Sequence, residues 1–197
     1  MNATVLSIKT KKAQGGKAIL VTIYLETDNQ KSEYTITEGT YREIGCPLSG
    51  TLIDEDAVAL IAKKDEQRRA RISALRILSY SDKSEAALRS RLRRAGVRAE
   101  AAEEAAKEMV ALGYVNDKKQ VVSLIKRYAS ALIGKRKIKA KLIERGYSRR
   151  DIDDAFDELC ARGEIDFKKN ARLLVEKKLT APYDKEQIKK LLYKNGY

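Results

Sequence analysis

Histidine and tryptophan are absent from this chain of 197 residues, cysteine and proline occur twice each, and aromatic residues make up 6%. Without imidazole there is no Ser-His-Asp triad, no histidine general base and no zinc site with histidine ligands. Cys46 and Cys160 lie far apart and form no spaced cluster. That spacing suits free thiols in a reducing compartment, with a single bridge as the other arrangement. The longest apolar run, AILVTIYL (18–25), is too short to cross a bilayer, and the opening MNATVLSIKTKK has no signal-peptide core or cleavage site. A soluble, cytoplasmic protein with no membrane partner is therefore expected. QGGKA (14–18) lacks the earlier spaced glycine and the following Ser or Thr of a phosphate loop. With no nucleophile–base pair, metal cluster or nucleotide loop, the expectation is a non-enzyme without cofactor or metal.

What the chain has is charge. Lys and Arg number 41 against 28 Asp and Glu, a formal +13, which makes a polyanion the expected partner. Apolar residues reach 43%, enough for packed cores, so the chain is expected to fold and not to stay disordered.

A phrase recurs at a fixed interval. RLRRAGV (91–97), KLIERGY (141–147) and LLYKNGY (191–197) align without gaps, placing Leu88, Ile138 and Ile188 in one column. Leu92, Leu142 and Leu192 form a second column, and Gly96, Gly146 and Gly196 a third. Apolar residues four apart share a helical face, and a glycine four further on can take the left-handed conformation that ends a helix. Ser84, Gly134 and Asp184 stand where N-caps belong, and Asp184 with Gln187 has capping-box spacing. Upstream, Ile72, Leu75 and Leu78 are matched fifty residues on by Val122, Ile125 and Tyr128. Downstream, Ala102, Ala105 and Met109 match Ile152, Ala155 and Leu159, with Gly113 and Gly163 as stops. The reading is a three-helix repeat of fifty residues, complete twice and present a third time without its last helix, stacked as an array.

Charge follows the same period. Residues 83–98 carry six basic and one acidic side chain and 118–150 twelve and one, whereas 99–117 carry one and five and 151–166 one and seven. The first two helices of a unit are thus basic and the third acidic. The column Arg89, Lys139, Lys189 lies about 100° round the helix from the apolar column, so these side chains should leave the core on the same flank of each unit. Any one such cation is an ordinary solvated residue, but a row of them suits a periodic polyanion such as the phosphate backbone of DNA, or a filament built on it. Arg89, Arg93, Lys135, Arg136, Lys139 and Lys189 are the expected contact residues. The acidic third helices read as dipole-favoured helix starts, with Asp151, Asp153 and Asp154 following Ser148. Tyr147 and Tyr197 are expected to pack under helix ends.

The N-terminal third differs. Runs at 4–10, 18–26 and 33–37 predict a three-stranded antiparallel meander. Asp54 can cap a helix which, if continuous to Tyr80, is roughly 40 Å long. The expected division is a β meander with a short helix over 1–53, a linking helix over 54–71, three-helix repeats over 72–117 and 118–166, and a shortened repeat over 167–197. The fold class is mainly α, with tandem three-helix repeats in an elongated array and a small N-terminal antiparallel β unit, α+β overall.

ALRILSYSDKSEAALRSRLRRAGV, then LGYVND, then GKRKIKAKLIERGY, in that order and spacing, resemble the RecX regulatory proteins over about residues 72–197. Asp82 and Lys83 stand where that family commonly has an arginine just before the Ser-Glu helix start, and KKQVVSL replaces its usual aromatic-alanine pair. The resemblance implies a non-catalytic regulator in DNA repair, recombination and the SOS response. Such a protein is a monomer lying along the RecA–DNA filament and inhibiting recombinase ATPase and strand exchange by restraining the protomers. The runner-up reading is a stand-alone DNA-binding or architectural protein of helical repeats.

Overall fold

The computed structural model describes residues 2–13 and 18–197, so QGGKA, apart from Ala18, lies outside the described residues. Strands β1 (Ala3–Lys12), β2 (Ile19–Thr27) and β3 (Gln30–Thr37) form the antiparallel meander, followed by helix α1 (Glu38–Glu43). Asp28 and Asn29, both at positive φ, make the two-residue turn between β2 and β3, a conformation these residue types tolerate. A fourth strand, β4 (Leu52–Ile53), pairs with the start of β1 and gives the order β3-β2-β1-β4. Two residues are too few to show an alternating pattern, which is why the sequence predicts only three strands. Alternation turns Val5, Val21, Ile23, Leu25 and Ile36 to one face, where they are fully buried.

Helix α2 (Glu55–Tyr80) covers that face. Asp54 caps it, its carboxylate accepting the Ala57 N–H at 2.8 Å, and its 26 residues span about 39 Å. Its charges look unpatterned because it serves two cores in succession. Ile61 is buried with the sheet, and Ala70 and Ala74 are buried in the first helical unit. Between them Asp65, 3% exposed, accepts the Thr35 N–H at 3.0 Å and pairs with Arg68 at 3.0 Å and Arg69 at 2.7 Å. Arg68 also donates to the Thr35 carbonyl at 2.8 Å. Side chains of α2 therefore occupy backbone groups on the outer edge of β3, where a further strand would otherwise add.

The remaining helices are α3 (Glu85–Arg94), α4 (Ala99–Ala111), α5 (Asp117–Ser130), α6 (Lys135–Glu144), α7 (Arg149–Ala161), α8 (Phe167–Lys178) and α9 (Lys185–Asn195). The C-terminal half of α2 with α3 and α4 forms unit one, α5–α7 unit two, and α8 and α9 unit three. Core residues of the first two units match at fifty-residue spacing: Leu88 with Ile138, Leu92 with Leu142, Ala102 with Ile152, Met109 with Leu159. The opening helices do not follow that alignment. In α5 the buried residues are Val121, Ile125 and Ala129, but in α2 they are Ala70 and Ala74, one step earlier in phase. Ile72 and Leu75, predicted to face the core, are instead 53% and 36% exposed. The phase slips because α2 must also serve the sheet, which fixes its rotation from the other end.

The total accessible surface is 13139 Å². A compact monomer of this mass would expose about 9,400 Å². The excess is what stacked units with separate small cores produce.

Candidate nucleic-acid interface

The recurring phrase closes three helices in the same way. The N–H of Val97 donates to Leu92 C=O at 3.1 Å, Tyr147 to Leu142 at 3.1 Å and Tyr197 to Leu192 at 3.0 Å, across glycines whose φ is 86°, 85° and 87°. This is the Schellman closure. The glycines do a second job at two of the three sites. Gly146, ending α6, sits against the start of α3, where Ser84 donates its hydroxyl to the Arg145 carbonyl at 2.8 Å. Gly196, ending α9, sits against the start of α6, where the Gly134 N–H donates to Asn195 C=O at 2.8 Å and the Arg136 N–H to Gly196 C=O at 3.0 Å. Helices α9, α6 and α3 thus follow one another head to tail, each negative C-terminal end meeting a positive N-terminal end. A side chain at Gly134 would lie 2.3 Å from the Gly196 carbonyl carbon, so unit two has glycine at the N-cap where unit one has serine.

The six predicted cations divide into two groups. Arg89 Nη1 meets Glu103 Oε2 at 2.7 Å, and Lys139 Nζ meets Asp153 Oδ1 at 2.7 Å. Both carboxylates lie fourteen residues downstream on the third helix of the same unit, so the ion pair is itself a repeated feature. The hydrogen bond from Arg89 holds the Glu103 carboxyl below its ordinary value of 4.5. Lys135 lies 3.9 Å from Asp157 and over the Phe156 ring at 5.0 Å. Arg136 donates to the Tyr193 carbonyl at 2.6 Å and stacks over that ring at 4.1 Å, fastening the end of α9. Arg93 and Lys189 are exposed and have no ion pair among the described residues. The acidic third helices therefore act as intramolecular partners for much of the cationic flank.

Cations without such partners converge elsewhere. A cleft of about 810 Å³ opens where α2, α3 and the end of α6 meet, lined by Arg76, Lys83, Arg91, Arg94 and Arg145. Glu144 is the single carboxylate on its walls. Arg76, Arg91 and Arg94 have no ion pair among the described residues; Arg145 donates to the Tyr128 hydroxyl at 3.1 Å and Lys83 to Ser81. Tyr80, also on the wall, is 79% exposed. Sequence reasoning missed this grouping because its cations come from α2, α3, the link between them and the end of α6, and only their individual basic character is visible in the chain. Tyr147 and Tyr197 pack as expected: Tyr147 is buried and donates to Gln120 at 2.8 Å, and the Tyr197 ring meets Phe167 at 6.5 Å. Cys46 and Cys160 are free and exposed. No helix among the described residues is long and apolar enough to cross a membrane.

These features define a class, tandem three-helix-repeat proteins with a small N-terminal sheet and repeats joined end to end. Residues 70–109 match the family described as RecX, first three-helix domain. A crystal structure of regulatory protein RecX is similar with a TM-score of 0.70 at 22% identity, covering 99% of this chain and 94% of that one. The crystal structure of RecX from Lactobacillus salivarius aligns with 66% of this chain and 96% of that one, at 18% identity and a TM-score of 0.45. No curated protein matches the chain.

Proposed function

We propose that this protein binds RecA filaments on DNA and inhibits recombinase ATPase and strand exchange, acting without chemistry of its own. The observation that carries this reading is the head-to-tail row of α9, α6 and α3. It gives one chain several equivalent helix faces in series, matched to a partner that is itself periodic. Several weak contacts along a filament add as avidity, and a ligand bound across protomers opposes the movements that separate its bound and free arrangements. Within this reading Arg93 and Lys189 meet the filament directly, while Arg89, Lys135, Arg136 and Lys139 reach it only by exchanging their present partners for phosphate or carboxylate. The test titrates the full chain against RecA on single-stranded DNA, with bare DNA at the same salt as control. ATPase and strand exchange fall with added protein, and RecA-coated strands bind more tightly than bare ones. Unchanged ATPase and strand exchange at saturation would remove the reading. Equal affinity for bare and coated strands would favour the stand-alone DNA-binding alternative.

A further inference from the structure

The cleft between units one and two carries a more specific assignment, resting on the nucleoprotein reading above. We infer that it is a subsite for single-stranded nucleic acid, in which Arg76, Arg91, Arg94 and Arg145 hold phosphates and Tyr80 stacks on one unpaired base. Three observations support this. The cations are drawn from α2, α3 and α6, and Arg76, Arg91 and Arg94 have no carboxylate partner among the described residues, unlike Arg89 and Lys139. Removing counterions from a strand and replacing them with fixed cations is favourable only where the protein's cations are not already neutralised. Ile77, Ala86, Ala87 and Gly146 add apolar and small residues to the lining of the same cleft. Finally, Tyr80 is 79% exposed and among the described residues has neither a ring partner nor a cation over it, although other exposed cations and rings do pair, as Arg136 and Tyr193 show. An aromatic face beside a cationic track is the arrangement that binds single strands without sequence preference; paired bases in a duplex offer no free face for it.

The site also spans a joint. Arg91 and Arg94 belong to unit one, whereas Arg145 lies at the end of α6 in unit two, one residue before the Gly146 contact with Ser84. A strand occupying the cleft therefore clamps the two units in the orientation seen here.

The experiment measures anisotropy of a labelled twelve-nucleotide oligothymidine, the matching duplex and an abasic strand of equal length, using the full chain and variants whose melting curves match it. Arg91→Ala with Arg94→Ala should lower the salt slope on the single strand by about 1.4, at roughly 0.7 per lost phosphate contact. Tyr80→Ala should weaken oligothymidine binding about 5- to 160-fold and leave abasic binding unchanged, and Tyr80→Phe should bind as the parent does. Wild-type affinity and slope in the arginine variant would overturn the site. Equal loss on abasic and oligothymidine strands in Tyr80→Ala would overturn the stacking role, and competition by polyglutamate of equal charge and length would show an acidic protein segment to be the occupant instead. RecA ATPase is measured in parallel. If the parent chain leaves it unchanged while oligothymidine binding follows the variants, the filament reading fails and the cleft assignment stands; if the parent inhibits and the variants bind as it does, the reverse holds.

Discussion

Substituting Gly134 by serine sets a local rule against a tertiary one. By the local rule the change stabilises. Gly134 has φ −73° and ψ 158°, a backbone that serine adopts without strain, and it occupies an N-cap without a side-chain hydrogen bond. A serine cap is worth a few tenths of a kcal/mol over glycine, and removing glycine's unfolded-state freedom adds about 0.4–1 kcal/mol. The structure reverses the sign. The added Cβ would stand 2.3 Å from the carbonyl carbon of Gly196, 2.4 Å from its oxygen and 2.5 Å from Tyr197 N, all backbone atoms that cannot rotate aside. The end of α9 must withdraw, breaking the bonds from Gly134 N–H to Asn195 and from Arg136 N–H to Gly196, and loosening the Arg136 contact with Tyr193. At about 0.5–1.5 kcal/mol for each hydrogen bond, the loss is about 2–3 kcal/mol and outweighs the local gain. The net cost of about 1–2 kcal/mol falls on the docking of α9, so its amides should exchange with solvent roughly five- to thirtyfold faster. Hydrogen exchange followed by mass spectrometry reads this directly, with Ser84→Gly as the control at the equivalent cap. Unchanged or slower exchange across α9 in Gly134→Ser would refute the end-to-end packing of these helices.

Three further outcomes follow from the same contacts. Gly146→Ala forces a Cβ into the left-handed region and to 2.9 Å from Ser84 Oγ, and is expected to cost about 1–3 kcal/mol in urea unfolding, with faster exchange at the start of α3. Asp65→Ala removes a buried carboxylate and leaves the Thr35 N–H without its acceptor, so the sheet and α2 should lose about 2–4 kcal/mol, measured by thermal melting. Glu103 has a folded pKa depressed by Arg89, so its contribution is present above its ordinary value of 4.5 and is lost as pH falls through the folded value. Arg89→Ala should raise the Glu103 carboxyl toward its ordinary value in a carbon-detected NMR titration, with Lys107 at 3.4 Å still lowering it, and a Glu103 titration unmoved by that change would rule out the pair.

The apolar columns and the glycine stops were legible because they act within a turn or two of helix. Leu88, Leu92 and Gly96 specify one short helix by themselves, and Ile138, Leu142 and Gly146, then Ile188, Leu192 and Gly196, specify two more. The phase of α2 was not legible, because Ile72 and Leu75 are as apolar as the residues that the equivalent helix buries, and only the sheet packed against Ile61 turns them outward. The fourth strand escaped for a different reason, having two residues and one short pairing. The cationic flank was legible as composition and not as availability.

Taken alone, the sequence determined where helices start and stop, the fifty-residue period, and the division of each unit into basic and acidic helices, since caps, left-handed glycines and charge counts are local properties. Tertiary structure decided which cations lack a carboxylate partner, because neutralisation depends on distance through space: Arg89 finds Glu103 on the next helix, while Arg91 and Arg94 line a cleft together with Arg76 and Arg145. It also decided why unit two has glycine at its N-cap, a choice that makes sense only once the end of α9 lies against it.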